Sequence, residues 1–127
     1  MTKKLFILSL IGLISATSAY AKCDDGTEIT NTAGTIFCRS NVKMNWWSAA
    51  AWCKENGLQL ATMYEMCPNW DGNTGTGKCS ELKGKDSGSD VWSATARGSE
   101  HAFFVVLSDG YVYDYGLRNN LYFAFCR

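Results

Sequence analysis

Trp46-Trp47-Ser48-Ala49-Ala50-Ala51-Trp52-Cys53, followed by Gly57-Leu58-Gln59-Leu60-Ala61-Thr62, decides the fold. Asn45 in front is a good N-cap, the run from Ser48 to Ala51 favours helix, and Gly57 is the expected stop. Trp46, Ala49, Ala50 and Cys53 fall at i, i+3, i+4 and i+7, so one helix face carries a tryptophan and a cysteine and must be buried. An apolar strand is expected immediately after Gly57. Cys126, next to last in the chain, sits on what reads as the final strand, where it could tie the two ends of one domain together.

Those two cysteines belong to a set of six, with Cys23, Cys38, Cys67 and Cys79. All six follow an N-terminal stretch that reads as an export signal. Lys3 and Lys4 give a basic start, Leu5 to Ser15 an apolar run too short to span a membrane, and Ala19-Tyr20-Ala21 a cleavage site. Residues 1–21 are therefore expected to be removed, leaving 22–127 as one exported domain that is secreted, periplasmic or held at the cell surface. An even cysteine count in a short exported chain predicts three disulfides. Metal ligation is the weaker reading, because no Cys-x-x-Cys pair occurs and His101 is the single histidine. Six cysteines allow fifteen pairings, and spacing does not choose among them.

Taking Lys3 and Lys4 out of the twelve basic residues leaves ten against twelve acidic ones. So balanced a charge gives no electrostatic reason to expect nucleic acid or anionic membrane as a partner, and no membrane span is expected after the signal. All five tryptophans follow the signal segment. A small domain built on such large side chains still buries a modest share of its surface and needs covalent help.

Along the chain, Cys23 and Cys38 bracket a candidate hairpin, with Ala33-Gly34 at its turn and Thr35-Ile36-Phe37 as β-formers. Thr62-x-x-Glu65 is a capping box for a second, short helix that Pro68 ends. From Asn69 to Asp90 the chain is polar and glycine-rich and reads as a long irregular loop, a kind that is either functional or tied down. Strands are expected at Val91–Thr95, Ala102–Leu107, Tyr111–Tyr115 and Leu121–Cys126, with Asp109-Gly110 as a two-residue hairpin turn.

That turn sets a register in which Val106 faces Tyr113, Phe104 faces Tyr115 and Ser108 faces Tyr111. Phe103, Val105, Leu107 and Val112 fill the other face, which is nearly all apolar and is the natural core side. The tyrosines then face outward or lie under the polar loop. A flat apolar ring with a polar tip suits stacking on a sugar or contact with a protein, and equally suits cross-strand pairing for sheet stability. Trp46 and Trp92 read as core.

These residues together resemble the long form of the C-type lectin-like domain. Cys23, Cys38, the Trp46/Ala49/Cys53 helix, Leu60-Ala61-Thr62 and Cys126 carry the likeness. Val91-Trp92-Ser93-Ala94-Thr95, Leu107-Ser108-Asp109-Gly110 and Phe125-Cys126-Arg127 look closer to a bacterial branch that includes the C-terminal domain of collagen-like adhesins. The resemblance implies an α+β fold of two short helices on a twisted antiparallel sheet with a long irregular loop. It also implies the pairs Cys23–Cys38, Cys53–Cys126 and Cys67–Cys79.

Calcium-dependent members carry Glu-Pro-Asn or Gln-Pro-Asp and Trp-Asn-Asp triplets, and neither kind is present here. Asp71, Asn73, Asp86 and Asp90 are oxygen ligands by type, but their expected work is to solvate the loop and support its turns. No metal and no cofactor is expected. Enzyme chemistry finds little to use: Glu100 and His101 are neighbours in a strand and point to opposite faces, and no Gly-x-Ser-x-Gly elbow occurs. The expected function is recognition, of a glycan or of a cell-surface or extracellular protein. Trp70, Asp71 and Asn73 on the loop, Tyr111, Tyr113 and Tyr115 on the ribbon, and Arg118 form the candidate ligand-binding set.

Overall fold

The computed structural model describes residues 23–72 and 76–127. The segment read as a signal, 1–21, and the candidate residue Asn73 lie outside them. Strands β1 (Gly26–Thr30) and β2 (Ile36–Met44) form the N-terminal hairpin. Asn31 builds its turn: the buried side-chain oxygen accepts from the backbone N–H of Ala33 and Thr35 at 3.0 and 2.9 Å, while its amide donates to the Met66 carbonyl at 3.0 Å.

Helix α1 (Trp46–Glu55) begins where expected, the Asn45 side chain accepting from Ser48 N–H at 2.8 Å. It stops at Asn56, after which Gly57 takes a positive φ of 75°, the left-handed conformation that glycine adopts without steric cost. Ala49 and Cys53 are fully buried on its inner face. Helix α2 (Met63–Met66) carries the complete capping box of Thr62 and Glu65. Between the helices, the strand expected after Gly57 shrinks to one bridge, Leu60 to Cys126, flanked by backbone bonds from Gln59 and Ala61 to the chain terminus. Leu58 N–H closes the exit of α1 on the Cys53 carbonyl and Thr62 caps α2, which leaves only residues 59–61 between them to pair.

Four more strands follow the short β3 (Thr76–Lys78): β4 (Asp90–Arg97), β5 (His101–Val106), β6 (Tyr111–Leu117) and β7 (Tyr122–Cys126). They join the hairpin in one seven-stranded sheet of order β1-β2-β7-β4-β5-β6-β3. The sheet is antiparallel except at its centre, where β4 lies parallel to β7. That single parallel contact corrects the wholly antiparallel expectation. It arises because β7 slots between the N-terminal hairpin and β4, bringing the two chain ends together.

Both faces of the sheet are covered. Against one lies α1, burying Cys53, Leu60, Trp92, Phe104, Ala124 and Cys126. Against the other lie α2 and the polar segment, burying Phe37, Met63, Met66, Leu82, Val105 and Phe125, with the rings of Phe37 and Phe125 stacked at 4.7 Å. The three disulfides are Cys23–Cys38, Cys53–Cys126 and Cys67–Cys79, and no cysteine among the described residues is free. Three disulfides suit an extracellular protein. Among the described residues no helix is long and apolar enough to cross a membrane.

Where it is described, the segment read as a long loop is tied down at several points. Leu82 and Cys79 are fully buried, β3 adds an edge to the sheet, and Arg39 holds Asp86 in an ion pair that Ser89 supports from 3.0 Å. Glu81 is buried, and its carboxylate accepts from the Asn69 N–H at 2.9 Å. An apolar residue within a polar stretch, Leu82, is what fastens the middle of this segment to the core.

Candidate functional site

The ribbon of β5 and β6 differs from the expected register. Phe104 lies opposite Tyr113 and Val105 opposite Val112, so Leu107, Ser108, Asp109 and Gly110 all belong to the turn. Two features impose this. Leu107 continues the pairing of β5 with β4, its N–H bonded to the Ser89 carbonyl at 2.9 Å, and Gly110, at φ 79°, closes the turn by donating to the Val106 carbonyl at 2.7 Å. Since the slip is two residues, each side chain keeps its face. Phe103, Val105, Leu107 and Val112 are all buried on the α2 side.

The tyrosines line the opposite face. Tyr111 and Tyr115 are 40% and 58% exposed, with half-buried Tyr113 between them. Ring centroids are 6.4 Å apart from Tyr111 to Tyr113 and 5.3 Å from Tyr113 to Tyr115, so the three make one tilted aromatic surface. Beneath it the stack continues inward. Phe104 stacks on Tyr113 at 5.3 Å and on Tyr122 at 4.4 Å, and Tyr122 lies 4.7 Å from Trp92. Trp92 is fully buried, and its indole N–H donates to the Met44 carbonyl at 2.9 Å. The exposed rings thus stand on a rigid aromatic base.

Charges frame the surface. Lys78 on β3 places its ammonium 4.8 Å from the Tyr111 ring, and the Asp109 carboxylate accepts from the Tyr111 N–H at 2.9 Å. Burial pushes the Tyr113 phenol above its usual range, helped by Tyr115, Asp109, Tyr111 and Asp90. The Tyr122 phenol is raised mainly by burial too, although the Asn120 amide bonding to it works the other way. Burial also raises the Asp90 carboxyl, against the pull of Lys43. With their pKa values raised, the Tyr113 and Tyr122 phenols stay neutral near pH 7, each an O–H donor and an acceptor.

The other candidates are placed elsewhere. Trp70 is 7% exposed and packs in the α2-side core, its ring 5.1 Å from Phe103 and 5.2 Å from Tyr64, with its buried N–H lacking a partner. It faces away from the tyrosines across the sheet. Asp71 is exposed at the start of the polar segment. Arg118 lies 4.4 Å from the Trp46 ring and donates to the carbonyls of Gly98 and His101, which pins the β4–β5 turn to the start of α1. The structure brings together Tyr111, Tyr113 and Tyr115 and leaves Trp70 and Arg118 apart from them.

Tyr122 and Lys78 adjoin this surface and escaped the sequence reading, whereas Phe104 was placed on the tyrosine face with a different partner. For Tyr122 a signal existed: it shares parity with Ala124 and Cys126, and Cys126 must face α1. For Lys78 none did, because β3 forms only by tertiary pairing. Among the described residues no cluster of histidine, cysteine or acidic side chains could hold a metal ion. No family model, curated protein or solved structure matches the chain.

Proposed function

We propose that the chain is an exported, bacterial binding domain of the C-type lectin-like type, and that its tyrosine surface recognises a carbohydrate or surface ligand without calcium. One observation carries this reading: three adjacent tyrosines, two of them largely exposed, on a rigid base. Pre-organised aromatic rings lose little conformational entropy on binding, and their hydroxyls can bond to sugar hydroxyls while the ring faces cover apolar C–H groups. The tyrosine hydroxyls serve such a binding role as both donors and acceptors of hydrogen bonds.

Glycan-array binding, repeated with excess chelator and with Tyr111→Ala/Tyr115→Ala, tests the proposal. Binding that survives chelation and falls at least about ten-fold in the variant is expected, as for loss of interface aromatics. Abolition by chelator, with wild-type affinity in the variant, would move the site to the Asp71–Asp90 segment. A protein-binding module on the same scaffold is the second reading, favoured by the 54% exposed Trp47 and 59% exposed Leu121. A blank array together with a specific protein partner would select it.

A further inference from the structure

Cys38 and Cys126 stand directly opposite each other on the antiparallel strands β2 and β7, yet each is bonded elsewhere, Cys38 to Cys23 and Cys126 to Cys53. Opposed residues of an antiparallel pair have Cα atoms roughly 4.5–5.5 Å apart and project to one face. A disulfide accepts Cα separations of about 4.4–6.8 Å. The unbonded pair therefore meets the same requirement as the two bonded ones, whose Cα separations are 5.4 and 5.5 Å. Cys38, Cys53 and Cys126 also share one buried cluster, with Cys23 packed against it. Four cysteines thus form a contiguous set that admits two bonding patterns.

Access to this set is uneven. A cavity of about 380 Å³ lies beside it, walled by Cys23, Cys38 and Cys126 together with Phe37, Glu28 and Arg127. That volume falls in the range of small-molecule sites, roughly 300–1,000 Å³. Cys23 is half-buried, whereas Cys38 is 3% exposed and Cys53 and Cys126 are fully buried. An outside nucleophile therefore meets the Cys23 sulfur first.

We infer that this cavity is a thiol-attack site, at which a low-molecular-weight thiol starts a disulfide relay from Cys23–Cys38 to Cys126. The thiolate bonds to Cys23 Sγ, the Cys23–Cys38 bond breaks, and Cys38 leaves as a thiolate. Cys38 Sγ then bonds to the opposed Cys126 Sγ, the Cys53–Cys126 bond breaks, and Cys53 leaves as a thiolate that takes a proton from solvent. One external thiol is consumed and one Cys53 thiol appears, so no further reductant is needed. The product has β7 bonded to β2 in place of α1. Cys67–Cys79, fully buried on the other face of the sheet, takes no part.

Glutathione added to the disulfide-bonded protein, followed by acid quench, maleimide alkylation and peptide mapping, tests the relay. The expected product carries glutathione on Cys23, a Cys38–Cys126 cross-link and maleimide on Cys53. In Cys23→Ser/Cys38→Ser, labelling of Cys53 should be at least about ten-fold slower, because only direct attack on a fully buried bond remains. Glutathione on Cys23 with maleimide on Cys38 and an intact Cys53–Cys126 bond would overturn the relay, and so would equal Cys53 labelling rates in the two proteins. The wild-type map decides the matter even if the variant does not fold.

Discussion

Phe104 stands directly opposite Tyr113, where a two-residue turn at Asp109-Gly110 would have set it against Tyr115. The displacement changes what each tyrosine does. Tyr113 becomes a stacked partner of a buried phenylalanine, while Tyr115 meets Phe104 only edge-on at 5.8 Å and stays exposed. A face that looks uniform in sequence divides into a structural ring and two outer ones.

The division separates binding from stability. Tyr111→Ala and Tyr115→Ala should each change stability by no more than about 0.5 kcal/mol, as exposed substitutions do. Tyr113→Ala should lower Tm measurably, because it uncovers Phe104. Ligand affinity should fall in all three. Thermal melts beside binding titrations check this, and a Tm loss for Tyr115→Ala equal to that of Tyr113→Ala would contradict the observed register.

The disulfides should differ in their contribution. Cys53–Cys126 spans 73 residues and Cys67–Cys79 spans 12, and the chain-entropy model assigns them about 4 and about 3 kcal/mol. Cys126→Ser should therefore be more damaging than Cys79→Ser, by only about 1–2 kcal/mol. Cys79 does not staple a surface loop, despite its polar surroundings in the sequence. It is fully buried beside Met66, whose carbonyl lies 3.7 Å from its sulfur. Denaturant melts of the two variants give the ranking.

The parts of this fold legible in sequence are those set locally. The Asn45 cap, the Thr62–Glu65 box and the buried Ala49/Cys53 face each depend on residues within two helical turns. Face parity along β5 and β6 was equally legible, since alternation survives a slip of two. Register, the parallel β4–β7 contact and β3 were not, because each is decided by residues far away, such as Ser89 capturing the Leu107 N–H. At the candidate site the same rule holds. Tyr111, Tyr113 and Tyr115 could be grouped from one strand, whereas Trp70 drew attention by type alone and proved to be a core residue on the opposite face.

Gly116 is a packing requirement of the core on the α1 side of the sheet. Its φ is not positive, so an added methyl meets no backbone strain, only neighbours. A Cβ there would lie 2.9 Å from Phe104 Cδ1 and from Trp92 Cζ3, and 3.1 Å from the Ala102 carbonyl oxygen. Both rings are locked in the stack described above. Gly116→Ala should cost about 1–3 kcal/mol, as overpacking does. Gly34→Ala, where a Cβ has open space, isolates the contrasting case in which only the positive φ of 91° opposes the change.

Asp90 gives the protein a pH dependence of definite sign. Its carboxyl sits at the start of β4 beside the aromatic stack, and burial raises its folded-state pKa above the usual 3.8, with Asp109 adding to the rise and Lys43 opposing it. A raised acid pKa means that the folded state holds the proton more tightly than the unfolded state. Between the ordinary value and the raised one the unfolded chain binds fewer protons, so this group's contribution to stability falls as pH increases through that window. Above it the ionised carboxylate is a constant penalty. Asp90→Asn keeps the shape and removes the charge, so it should stabilise the protein at pH 7 and lose that advantage near pH 3. Melting curves of both proteins across pH 3–7 measure the difference. An advantage for Asp90→Asn that grows toward low pH would mean that Lys43 outweighs burial and that the carboxylate is a stabilising partner.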